Sequence, residues 1–173
     1  MIESKGFRIR EGRITDASAL AEAQRKIAEK PGFLVSRPHE LTDEKFKNWL
    51  TTLTRAENAT CLVAEKDGRV IGHGMLDPLH LDAIRHVVHL TLAVHQGSQG
   101  QGVGTALLTK LIEWARSVPT VEKIELHVRS ENVAAQSIYR KAGFIEEGRW
   151  RRRVKVSSDH YLDDVLMGLW VSD

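Results

Sequence analysis

Six consecutive residues, Gln99, Gly100, Gln101, Gly102, Val103 and Gly104, have the makings of an anion site. Glycine has no Cβ, so a backbone built from it can lie against a ligand. Residues 103–116 follow with the apolar spacing of a helix. The first N–H groups of a helix have no internal partner, and the aligned peptide dipoles add roughly half a positive charge there. Phosphate is the natural occupant of such a turn. Two familiar phosphate chemistries fail on single residues. A triphosphate-binding loop needs lysine and then serine or threonine after its last glycine, but Gly104 is followed by Thr105 and Ala106. A dinucleotide fingerprint needs a third glycine where this chain has Thr105 or Leu107. Arg129, at the end of the next strand, is the one residue that suits a 2′-phosphate.

Side chains able to move protons lie on both sides of this turn. In the strand before it, Val88, Leu90, Leu92 and Val94 share one face, and His89, Thr91, Ala93 and His95 share a smaller, more polar one. The second face suits a ligand. His89 titrates near neutrality and can take a proton, or it is a satisfied histidine with no catalytic role. Glu125 and His127, on the neighbouring strand, are weaker candidates for the same task. Tyr139 shares a helical stripe with Ala135, Ile138 and Ala142, the spacing of a plain core aromatic. His73, His80, His86, His89 and His95 lack the close cysteine or acid pairs of a zinc site, so no metal is expected. Arg149, Arg151, Arg152, Arg153 and Lys155 alternate with Trp150, Val154 and Val156, which reads as a solvated strand face backed by an apolar one. Asp163 and Asp164 suit an acceptor ammonium, or form an exposed turn of charge.

The elements that must position these groups are legible in order. A strand over 7–10 precedes a helix capped by Thr15 or Asp16 and stopped by Pro31 and Gly32. In the loop 33–41, Phe33, Leu34 and Val35 read as core plugs, or as the lining of an acceptor pocket. Thr42 caps a helix over 43–55. Strands over 60–65 and 70–76 flank Asp67-Gly68, a hairpin turn. Gly72 and Gly74 within the second of these strands mark a bulge or a close backbone approach. The strand 86–94, the helix 103–116 and a strand over 121–128 form a strand–helix–strand unit. Asn132 caps a short helix over 133–142 that ends at Gly143. Two strands, 144–156 and 160–171, close the chain.

Composition bounds the answer. The chain has 173 residues, 42% hydrophobic and 28% charged, which suits one globular domain over 1–173. A net charge of +2 is too small to argue for nucleic acid. One cysteine, Cys61, excludes an internal disulfide and makes a reducing compartment the default. Residues 1–10 lack the apolar core of a signal peptide, and no apolar run reaches the ~20 residues of a membrane helix. The expected location is cytoplasmic, with no membrane partner.

The pattern Gln99-x-x-Gly102-x-Gly104 resembles the acyl-CoA signature of the GNAT superfamily of N-acetyltransferases, Q/R-x-x-G-x-G/A. The segment from Asn132 through Ala135 and Tyr139 to Gly143 and Phe144 is similar to that family's N-x-x-A-x-x-x-Y-x-x-x-G-F. Glu147-Gly148, Tyr161, Asp163-Asp164 and Met167 resemble members that acetylate amino acids and other small amines. The resemblance covers nearly the whole chain. It implies an α+β, mixed α/β sandwich, with a central, mostly antiparallel sheet of about seven strands flanked by about four helices. It implies acetyl-CoA as cosubstrate and direct transfer of acetyl to a primary amine. Leu92, Ala93 and Val94 would pair with the pantetheine arm. Backbone groups of Gln99, Gly100, Gln101, Gly102, Val103, Gly104 and Thr105 would hold the pyrophosphate, and Asn132 would touch the arm. Tyr139 becomes the acid for the leaving thiolate, and His89 stands where many relatives carry a glutamate base. Many relatives also carry arginine where Gln99 stands. An amino acid is the first acceptor class, with a protein N-terminus or lysine, or a non-catalytic CoA sensor, as alternatives. A homodimer through the C-terminal strand pair is compatible with the resemblance.

Overall fold

The computed structural model describes residues 6–172. Residues 1–5, half of the stretch read above for a signal peptide, lie outside the described residues. The chain runs β1 (Arg8–Glu11), α1 (Ala17–Ala28), α2 (Asp43–Leu53), β2 (Thr60–Lys66), β3 (Arg69–Pro78), β4 (Val87–Val94), α3 (Val103–Ser117), β5 (Lys123–Arg129), α4 (Val133–Lys141), β6 (Ile145–Lys155) and β7 (Tyr161–Trp170). The seven strands form one sheet in the order β1-β2-β3-β4-β5-β7-β6, antiparallel except for β4 and β5. This is the mixed, mostly antiparallel sheet with four helices expected from the sequence.

Local chemistry accounts for the element ends. Thr42 accepts a hydrogen bond from the Lys45 N–H at 3.2 Å, and Asn132 accepts one from Ala135 at 3.2 Å. Asp67 and Gly68 both have positive φ, 50° and 74°, as the tight hairpin between β2 and β3 requires. Asp16 does not cap α1 through its side chain. Its carboxylate instead accepts from the Arg13 N–H and pairs with Arg10 at 2.8 Å.

Each face of the sheet carries its own core. On one side Leu107, Leu108, Leu111 and Ala115 of α3 pack on Leu76, Val88, Leu90, Ile124 and Leu126. On the other, Leu20 and Ala21 of α1 and Phe46, Leu50 and Leu53 of α2 pack on Val63 and Met75. Each of the fully buried leucines contributes ~1.5–3 kcal/mol through its burial. Gly72 and Gly74 let α3 approach: a Cβ on Gly74 would stand 2.5 Å from Leu111 Cδ1. A register shift between Ala64 and Glu65 lies opposite, so both readings of these glycines describe the same place.

The first helical face is as expected, but two stretches are not. Of the three loop residues expected to plug the core, only Leu34 packs against it, while Phe33 and Val35 are 44% and 61% exposed. Strand β6 does not bury an apolar face: Val154 is its one buried residue, and Trp150 is 42% exposed. It is one of the sheet's two edge strands, the other being β1.

Candidate active site

Strands β4 and β5 are paired only at Val87–Lys123, Val88–Ile124 and His89–Glu125. Beyond His89 the two strands separate. The backbone edge of β4 that faces β5 is therefore free along the stretch holding Leu92, Ala93 and Val94. A cavity of about 580 Å³ occupies this fork, within the range of small-molecule sites. Its walls include those three residues, Asn132, Ala135, Ile138 and Tyr139 of the α4 region, and Ile27, Phe33 and Leu34 from α1 and the loop after it.

The glycine turn forms one end of this cavity. Ser98, Gln99, Gly100, Gly102, Val103, Gly104 and Thr105 all line it, while Gln101 does not. Gln101 reaches back to the Gly97 carbonyl at 3.2 Å. Gly102 is the N-cap of α3 and has φ +80°, a left-handed conformation that favours glycine. The free N–H groups of a 15-residue helix thus open onto the cavity. Gln99 is turned inward: its Oε1 accepts from the Gly97 N–H at 2.9 Å and its Nε2 donates to the Val94 carbonyl at 3.5 Å. It braces the turn and offers no charge.

Tyr139 is 8% exposed, packs on the Phe144 ring at 5.7 Å, and borders the cavity. Burial pushes its phenol up to about 12, so it stays protonated at neutral pH. Cys61 is buried, and burial pushes its thiol up to about 12 as well, which removes it as a nucleophile.

His89 is the last β4 residue paired with β5, at the apex of the fork, on the face opposite α3. It lies outside the cavity lining. Its Nε2 is buried and has no hydrogen-bond partner among the described residues, and its ring stands 4.9 Å from His127. Burial, reinforced by His127, holds His89 below its ordinary pKa, so it is neutral at pH 7. His127 in turn meets Trp150 at 4.7 Å. Trp49 donates to Asp77 at 2.9 Å beside them, and Asp77 is the β3 residue in register with His89.

The remaining polar candidates are engaged elsewhere. Arg129 and Asp164, directly opposite across β5 and β7, form an ion pair at 2.7 Å with side chains 8% and 2% exposed. Arg129 is thus withdrawn from any 2′-phosphate, and Asp164 is not part of an exposed turn. Asp163 accepts from the Arg152 N–H at 2.7 Å. The helix α1, β3 and the end of β4 are joined by a buried chain absent from the sequence reading. Gln24 Nε2 lies 3.0 Å from His73 Nε2, His73 Nδ1 lies 2.9 Å from His95 Nε2, and His95 Nδ1 lies 2.9 Å from the Val70 carbonyl. The carbonyl can only accept, so both imidazoles carry their proton on Nδ1, and Gln24 donates to His73. Every ring nitrogen is then satisfied in the neutral form, and His73 is fully buried with a pKa lowered by burial to about 3.

Of the expected residues, the cavity brings together Tyr139, Asn132, Leu92, Ala93, Val94 and most of the turn. Ile27, Ser98, Ala134, Ala135 and Ile138 were missed as lining, because apolar helical spacing looks the same whether a residue meets core or ligand. Phe33 and Leu34 were legible as pocket residues in one of their two readings.

The acetyltransferase (GNAT) family model matches residues 21–144. An L-amino acid N-acetyltransferase of Escherichia coli, AaaT, is 30% identical over 119 residues, covering 69% of this chain and 73% of that protein. An N-alpha-acetyltransferase of Sulfurisphaera tokodaii is 28% identical over 169 residues, covering 93% and 89%. The structure of an acetyltransferase of the GNAT family from Streptococcus pneumoniae superposes with a TM-score of 0.87 at 28% identity, covering 95% of this chain and 99% of that one.

Proposed function

The chain belongs to the acetyltransferase (GNAT) family and is an N-acetyltransferase, and on that premise we propose that acetyl-CoA is its acetyl donor and a small primary amine, such as an amino acid, its acceptor. The observation that carries the reading is the fork itself. The free edge of β4 opens into a cavity that ends at a helix N-terminus.

The residues present fit that donor. The backbone groups of Leu92, Ala93 and Val94 would pair with the amides of the pantetheine arm as a further strand would, and Asn132 and Ala135 would flank it. The N–H groups of Gln99, Gly100, Gly102, Val103, Gly104 and Thr105 would hold the diphosphate, and Gln101, outside the cavity lining, would not. Bound there, acetyl-CoA supplies the thioester carbonyl and a thiolate leaving group. Holding the two reactants in line accounts for about 7–11 kcal/mol of the barrier in well-oriented cases. Two proton transfers remain, each worth roughly 10²–10⁴-fold. His89, neutral and outside the cavity lining, would take the proton of the acceptor ammonium through water. Tyr139, protonated, gives one to the thiolate.

The acceptor side supports a small amine. The loop after α1 is tied across the site to the end of β6, where Arg37 donates to the Lys155 carbonyl at 2.8 Å. Gly32 packs so closely on β7 that a Cβ would stand 2.7 Å from Leu162 Cδ1. A bridged rim favours a compact acceptor over a polypeptide end. The 93% coverage by an N-alpha-acetyltransferase is the specific observation for the second reading, a protein N-terminus.

Thiol release from acetyl-CoA, measured against amino acids, polyamines and peptides with free N-termini, tests both. Turnover of amino acids supports the proposal, and turnover of peptides alone replaces it with the second reading. Tight binding of acetyl-CoA without turnover of any amine would mean a sensor.

A further inference from the structure

The donor proposed above carries several negative charges, yet among the described residues none that lines the 580 Å³ cavity is lysine or arginine. At the position where arginine would grip a phosphate stands Gln99, and its side chain is spent on the backbone of its own turn. Backbone N–H groups and a helix dipole carry only partial charge.

A second cavity of about 220 Å³ adjoins the first, and Ile27, Phe33 and Gln99 line both. Its other walls are Lys26, Lys30 and Gln96. Lys26 lies in the last turn of α1 and Lys30 stands two residues past its end, and both line this one cavity. Lys30 Nζ is held 4.7 Å from the centroid of the Phe33 ring, which itself borders both spaces. Lys26 pairs with Glu22 at 2.8 Å, but both side chains are at least half exposed, and such a pair is exchanged at little cost. Among the described residues, neither cavity lining contains an aspartate or glutamate.

Resting on the functional reading above, we propose that Lys26 and Lys30 form a phosphate grip for the nucleotide end of the donor, supplying from the last turn of α1 and the loop after it the charge that the glycine turn lacks. The grip binds without reacting. It acts on affinity and leaves the chemical step untouched.

The test uses the full chain and the Lys26→Gln/Lys30→Gln double variant, which keeps the aliphatic stems largely in place. Calorimetric titration with CoA should show Kd raised on the order of tenfold in the variant. The dependence of log Kd on salt should flatten. The KM for acetyl-CoA should rise with Kd while kcat at saturation stays within about twofold. Repeating the titration with 3′-dephospho-CoA identifies the phosphate held. An effect that disappears assigns the 3′-phosphate, and one that persists assigns the diphosphate. Either result supports the grip. Wild-type binding with an unchanged Kd and salt slope in the variant overturns this inference alone. Failure of the wild-type chain to bind CoA overturns the functional reading, and the grip with it.

Discussion

Replacing His73 by leucine strikes the buried chain that joins α1, β3 and the end of β4. In the wild-type chain every nitrogen of His73 and His95 has a partner within 2.9–3.0 Å. Leucine leaves two buried polar atoms without one, Gln24 Nε2 and His95 Nε2. An orphaned buried group costs about 1–3 kcal/mol, so the variant should lose roughly 2–6 kcal/mol at pH 7.5. The cost should shrink in acid. Unfolded histidine titrates near 6.5, whereas folded His73 stays neutral down to about 3. Below pH 6.5 the unfolded chain therefore binds one more proton at this position, and stability falls as pH falls. At 1.36 kcal/mol per pH unit, His73 accounts for about 1.4 kcal/mol of wild-type stability lost between pH 7.5 and 5.5. The leucine variant lacks that contribution, so the gap between the two proteins should narrow by about 1.4 kcal/mol over the same interval. Urea unfolding at both pH values measures this directly. Parallel losses of stability in the two proteins, or a His73 ring titrating near 6.5 by NMR, would refute the reasoning.

Three further outcomes follow from the site and its support. Tyr139→Phe should lower kcat by roughly 10²–10⁴-fold with little effect on CoA binding by calorimetry, and a variant of wild-type activity removes the phenol from the mechanism. His89→Gln should lower kcat/KM by a similar ~10²–10⁴-fold. In the wild-type enzyme activity should fall with acid through a pKa below 6.5, since the neutral ring is the active form and burial favours it; a pH profile identical in variant and wild type would exclude His89 as the base. Gly74→Ala places a Cβ 2.5 Å from Leu111 Cδ1 and 3.2 Å from Leu92 Cδ1, so the urea midpoint should report a loss of about 1–3 kcal/mol.

What the sequence disclosed was local. The glycine turn, the Asp67-Gly68 hairpin and the Thr42 and Asn132 caps each depend on a few neighbouring residues, and all of them form. The pairs that shape the site depend on register between distant strands. His73 and His95 are 22 residues apart and meet only because β3 and β4 pair with Gly72 opposite Val94. Arg129 meets Asp164 because β5 and β7 are neighbours, an order the chain sequence does not state. The fork is an absence of pairing, to which no residue type corresponds. Phe33, Val35 and Trp150 misled because apolar side chains need not find cover at a rim or a sheet edge.

The same edge explains the basic run of β6 without any partner. Its outer backbone groups are an open template for another strand, the ordinary route by which sheet proteins aggregate. Arg149, Arg151, Arg152, Arg153 and Lys155 place five cations along an 11-residue strand. Register shifts between Glu146 and Gly148 and between Trp150 and Val154 break its regularity, and Arg152 adopts φ +51° within the second. A second β6 laid alongside would bring like charges together on a backbone that cannot run straight. The run read from the sequence as a solvated strand face is thus exposed along an edge whose charge and broken register disfavour a second strand.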